Sequence, residues 1–133
     1  MTKGQFRFTY FTSHYNETIA FYRDGLRLPV LHSWDRSADD KGTLIEAASG
    51  MIEVLALPES GSCDHLFDER SPQGAFMVIE VEQVEAIHKL AIENDLPIQQ
   101  ELKDQSWGHR SICLREPNGL TLLFFTHLSK PQQ

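Results

Sequence analysis

Six histidines stand at positions 14, 32, 65, 88, 109 and 127, and none shows the His-Glu-x-x-His or similarly close spacing that grips a divalent ion. Most are therefore expected at the surface. His32 is set apart because it alternates with Trp34, and an imidazole beside an indole can line a ligand pocket; packing or solvent contact is the plainer role. Trp107-Gly108-His109-Arg110 delivers an indole, an imidazole and a guanidinium on one turn, a set that an anionic or aromatic ligand could use. The plainer alternative has Trp107 plugging a sheet and Arg110 in a surface ion pair. Cys63 lies two residues from His65, but so short a separation rarely lets an imidazole activate a thiol, and a loop cysteine without chemistry is expected. Cys113 alternates within 111–115 and is expected to be a small packing residue. Phosphate loops, dinucleotide fingerprints and nucleophile elbows are absent from the sequence.

The elements that must position these residues follow from periodicity. Phe6, Phe8 and Tyr10 alternate with Arg7, Thr9 and Phe11, which reads as a first strand with both faces occupied. Tyr15, Ile19, Tyr22 and Leu26 then recur at helical spacing, with Ser13 as the expected N-cap and Gly25 as the terminator. Three strands follow, over Leu28 to Trp34, Thr43 to Ala48 and Met51 to Leu57. The same order returns after a linker: a strand over 75–81, a helix marked by Val84, Ile87, Leu90 and Ala91, then strands over 97–102, 109–115 and 120–125. Leu28-Pro29-Val30 matches Leu96-Pro97-Ile98, and Ser49-Gly50-Met51 matches Asn118-Gly119-Leu120, which marks an internal duplication. The expectation is one α+β domain over 1–133, made of two β-α-β-β-β modules at about 5–57 and 74–127 with a linker at about 58–73. Each helix covers one face of its sheet, so the other face curves around a concave cleft lined by strand side chains.

Bulk properties exclude several classes. The 133 residues suffice for one core, and no apolar stretch approaches the roughly 20 residues that cross a membrane. A net charge of −7, with 12 basic against 19 acidic residues and no basic-aromatic cluster, argues against nucleic acid. The amino-terminal residues carry no secretory pattern, so a cytoplasmic location with reduced thiols is expected.

Three segments resemble the vicinal oxygen chelate superfamily of glyoxalase I, bleomycin- and fosfomycin-resistance proteins and extradiol dioxygenases. They are 19–26 in the first helix (Ile-Ala-Phe-Tyr-Arg-Asp-Gly-Leu), 107–110, and Glu116-Pro117-Asn118-Gly119-Leu120 before the last strand. The resemblance covers nearly the whole chain and is closest in look to the bleomycin-resistance-like members. It implies two modules around one cleft, a divalent metal held by His or Glu near the start of each module's first strand and in its last strand, and commonly a homodimer. Carried onto this chain, those places fall on Arg7, Glu53, Ala75 and Leu123, of which only Glu53 is a ligand type; Phe76, Val78, Leu122 and Phe124 would serve no better. The usual metal site is therefore expected to be missing, with Arg7 neutralising Glu53 in its place. Glu53 is the best candidate for any catalytic role.

The strand parity of Arg7 and Glu53 is shared, on this reading, by Phe11, Leu55, Met77, Ile79 and Phe125, an apolar lining with few polar anchors. The expected function is metal-independent binding of a small organic molecule, with Arg7, Phe11, His32, Trp34, Glu53, Trp107 and Arg110 as ligand contacts, no cofactor and a homodimeric state. The alternatives are a metal-dependent lyase or dioxygenase of the same fold, and a module whose sheet face binds a partner protein.

Overall fold

A computed structural model describes residues 4–59 and 73–128. The first module comprises β1 (Arg7–Thr12), α1 (Tyr15–Ile19) running on as a π-helical segment (Ala20–Gly25), β2 (Val30–Ser37), β3 (Asp40–Ala47) and β4 (Gly50–Ala56). The second comprises β5 (Phe76–Glu80), α2 (Val84–Glu93), β6 (Ile98–Asp104), β7 (His109–Arg115) and β8 (Thr121–His127). The fold is the α+β duplication that the periodicity implies. Each module keeps its own four-stranded mixed sheet, ordered β1-β4-β3-β2 and β5-β8-β7-β6, with the first strand parallel to the fourth. The expected linker and the Cys63–His65 pair lie almost wholly outside the described residues. Among those residues, no helix is long and apolar enough to cross a membrane.

The duplication extends to backbone detail. Arg27 and Asp95 both adopt positive φ, 58° and 53°, directly before the matched Leu-Pro pairs. In each module the proline carbonyl then accepts an N–H from the neighbouring strand, Glu46 on Pro29 and Arg115 on Pro97. A proline that cannot donate is placed where only its acceptor is used.

Two local expectations need correction. Ser13 does not cap α1: His14 holds the N-cap position, and Thr12 Oγ1 takes the His14 N–H instead. The helix also widens to a π-helix over its second half, where the adjacent residues Phe21 and Tyr22 both turn inward. The wider coil suits a segment that must bury neighbouring side chains, and Gly25 closes it where Leu96 comes so near that a Cβ would lie 2.8 Å from Cδ2. Met77 and Ile79 belong to the face turned toward the helices, since both pack with the core, so they do not share the face of Arg7 and Glu53. Two bulky apolar runs, 76–79 and 122–125, obscure the alternation there.

One apolar core joins the modules, with Tyr22, Ile45, Ile52 and Val54 from the first beside Val84, Ile112, Leu122 and Phe124 from the second. Within it sits Glu116, 1% exposed. Its Oε1 accepts the Asn118 and Leu120 N–H groups at 2.6 and 3.1 Å. Its Oε2 accepts the Tyr10 hydroxyl at 2.8 Å, the Asn118 amide at 3.0 Å and, more weakly, the Tyr22 hydroxyl at 3.5 Å. Asn118 then reaches Thr12 and Thr18, so the 116–120 turn of module two is bonded into β1 and α1 of module one. A buried carboxylate survives without a cation only if donors saturate it, and five do so here.

Glu116→Gln places an amide against two N–H donors, and a loss of about 3 kcal/mol is expected, read as a lower urea midpoint at unchanged slope. Burial pushes the Tyr10 and Tyr22 phenols well above the usual tyrosine range, and the Glu116 charge adds to the effect. A group whose folded pKa is raised contributes stability below its unfolded pKa of about 10 and loses it as pH rises beyond. The thermal midpoint should therefore fall steeply above about pH 10, and less steeply in the Tyr10→Phe, Tyr22→Phe double variant.

Candidate functional site

Opposite the helices, module one presents Arg7, Thr9 and Phe11 from β1 and Met51, Glu53 and Leu55 from β4, in register as Arg7 with Met51, Thr9 with Glu53 and Phe11 with Leu55. Arg7 Nη1 donates to Glu53 Oε2 at 3.4 Å, and Thr9 Oγ1 donates to Oε1 at 2.9 Å. Both carboxylate oxygens are thereby engaged. Farther along this open face Trp34 lies over Gly42, where a Cβ would come within 2.3 Å of the indole, and its Nε1 donates to Asp40 at 3.0 Å. His32 stacks on Trp34 at 5.5 Å between centroids. Arg36 adds its guanidinium over the same indole. Trp34 also borders a separate groove of about 520 Å³, floored by Tyr15, Ser33 and Thr43.

The other expected contacts are dispersed. Trp107 is exposed on the β6–β7 turn, while Arg110 faces α2 and is held by Asp104 at 2.6 Å and Glu85 at 2.6 Å. The Arg110 hydrogen bonds hold both carboxyls below their usual range. The guanidinium is thus committed to the convex side. His109, on the open face of module two, stacks on Phe125 at 4.1 Å and meets His127 edge-on at 4.8 Å; His127 in turn approaches Glu80 at 3.6 Å. Cys113 is buried, its Sγ facing Gln100, and burial raises its thiol pKa, which leaves it unreactive.

A larger cavity of about 590 Å³ lies where the modules' edge strands approach each other. Phe6, Phe8 and residues 47–52 line one side, and residues 76–80 with Phe125 line the other. None of the seven expected ligand contacts lines it, whereas Met77, Ile79 and Phe125 do. Successive residues of β5 contribute, so the cavity wraps the strand's edge and draws on both of its faces. β1 and β5 are each hydrogen-bonded on one side only, which leaves this space unfilled. The readable signal was an edge strand carrying apolar side chains on its solvent face: Phe76 is 61% and Val78 55% exposed, with Phe6 at 75% nearby.

A family model described as Glyoxalase/Bleomycin resistance protein/Dioxygenase superfamily matches residues 4–124. The chain belongs to this superfamily. Among solved structures, TioX from Micromonospora sp. ML1 superposes with a TM-score of 0.76 at 14% identity, covering 95% of this chain and all of that one (100%). A glyoxalase/bleomycin resistance protein/dioxygenase from Alicyclobacillus acidocaldarius gives 0.66 at 16% identity, covering 95% and 92%. Lactoylglutathione lyase from Agrobacterium tumefaciens gives 0.64 at 14% identity, covering 95% of each chain. These likenesses establish the fold. No curated protein matches the chain.

The superfamily's metal is poorly served by the residues present. Val78 is the register partner of Leu123 as Thr9 is of Glu53, so Phe76, rather than Ala75, stands in module two where Arg7 stands in module one. Neither Phe76 nor Leu123 can donate an electron pair, Arg7 is a cation, and Glu53 is already engaged. Among the described residues no group of three His, Cys, Asp or Glu side chains is placed to hold an ion.

Gly42→Ala must displace the Trp34 indole, since the added methyl would meet it and Leu55. In a Trp107→Phe background, which leaves Trp34 as the sole tryptophan, the expected result is a red-shifted emission and a stability loss of about 1 to 3 kcal/mol.

Proposed function

We propose that this superfamily member binds a small organic molecule without a metal, and that the molecule occupies the cavity at the junction of the two modules. The observation that carries this reading is the cavity itself. Its volume of about 590 Å³ falls within the roughly 300–1,000 Å³ of small-molecule sites, and its walls are mostly apolar. The Arg7–Glu53 pair supports the metal-independent half of the reading, because a guanidinium supplies the positive charge that would otherwise come from an ion. Met51, the register partner of Arg7, lines the cavity, so the ion pair stands beside it. We also propose a homodimer with its boundary at the cavity mouth, supported by the exposed Phe6, Phe76 and Val78.

The test uses chelator-dialysed protein and an apolar fluorescent dye, N-phenylnaphthylamine. Saturable dye binding should persist after dialysis, and titration with Mn, Fe, Ni or Zn ions should leave the thermal midpoint unchanged. Stoichiometric metal with a raised midpoint would refute metal independence and direct attention to lyase and dioxygenase chemistry. Absence of dye binding would refute the cavity as a ligand site.

A further inference from the structure

We infer that the cavity selects an apolar amine, an aryl or alkyl body carrying one ammonium group, with Glu80 as the counter-charge. The inference rests on the binding function proposed above and names the chemical class of its ligand. Among the described lining residues, Glu80 is the one ionisable side chain; the others are apolar except Ser49 and the backbone at Gly50. A site of this composition takes up apolar bulk and rejects any charge it cannot match.

Glu80 is poised differently from Glu53 on the open face of module one. Glu53 is satisfied by Arg7 and Thr9, whereas the ion-pair partner of Glu80 among the described residues is His127, an imidazole at 3.6 Å that is charged only when protonated. A ligand ammonium at the mouth would thus meet a carboxylate that no lysine or arginine among the described residues has already neutralised. Phe125, the register partner of Glu80, lines the same cavity and supplies apolar surface for the ligand's body. None of the described lining residues is cationic, so a carboxylate-bearing ligand would face Glu80 without a positive partner among them. The chain's net charge of −7 acts in the same direction at longer range.

The experiment displaces N-phenylnaphthylamine from the full-length protein with three compounds of matched shape: phenylbutylamine, phenylbutanol and phenylbutyrate, in mildly alkaline low-salt buffer. Because Glu80 is largely solvent-exposed, a preference of about five-fold for the amine over the alcohol is expected, shrinking as salt is added. In Glu80→Gln the amine should fall to the alcohol's affinity while the alcohol is unchanged, which separates charge recognition from loss of fold. Val78→Lys, at the exposed edge of the cavity, should shift the preference toward phenylbutyrate. If all three compounds displace the dye equally from the unaltered protein, the amine assignment is overturned and the binding function stands. If the dye does not bind, both fail. A dye signal that disappears as the protein dimerises would mean that a second copy of the chain fills the cavity, and that too overturns the assignment.

Discussion

The buried carboxylate of Glu116 holds the two modules in their mutual arrangement. Taking a charge from water into a core costs several kcal/mol unless the protein replaces every lost hydrogen bond, so the surrounding groups have little freedom. Tyr10 fixes β1, Tyr22 fixes the π-helical turn, and the N–H groups of Asn118 and Leu120 fix the turn into β8. Asn118 passes the constraint on to Thr12 and Thr18. Displacing any of these elements would strand a donor or the charge, and the apolar core alone imposes no such geometric requirement. Packing supplies the bulk of the attraction, and the carboxylate selects one arrangement.

The cavity follows from the same constraint. The Glu116 network joins the modules at the carboxyl-terminal part of β1, through Tyr10 and Thr12, while Phe6 and Phe8 lie at its other end and line the open space. Two strand edges with no partner on one side would ordinarily be covered or charged. Here they carry Phe6, Phe76 and Val78 outward, which leaves an apolar volume bounded by both modules. A fold that in its metal-bearing members places an ion on the open sheet face here offers a guanidinium-carboxylate pair on that face and an apolar space beside it.

Much was readable in the amino-acid sequence because period and punctuation are local properties. The order of strands and helices, the duplication, and the Leu-Pro turns follow from alternation, helical spacing and the φ limits of proline. The nearness of Arg7 and Glu53 was accessible only through the family resemblance, whose topology places those positions together, and the parallel pairing of β1 with β4 is what brings them to one face. Tertiary packing decided what no local pattern encodes. Only the folded chain shows that Glu116 is a buried keystone, because its donors lie up to 106 residues away. Only the fold commits Arg110 to Glu85 on α2, turns Met77 and Ile79 toward the core, and leaves β1 and β5 apart. Each of these depends on which surfaces meet across long sequence separations, and periodicity within a segment carries no information about the partner on its other side.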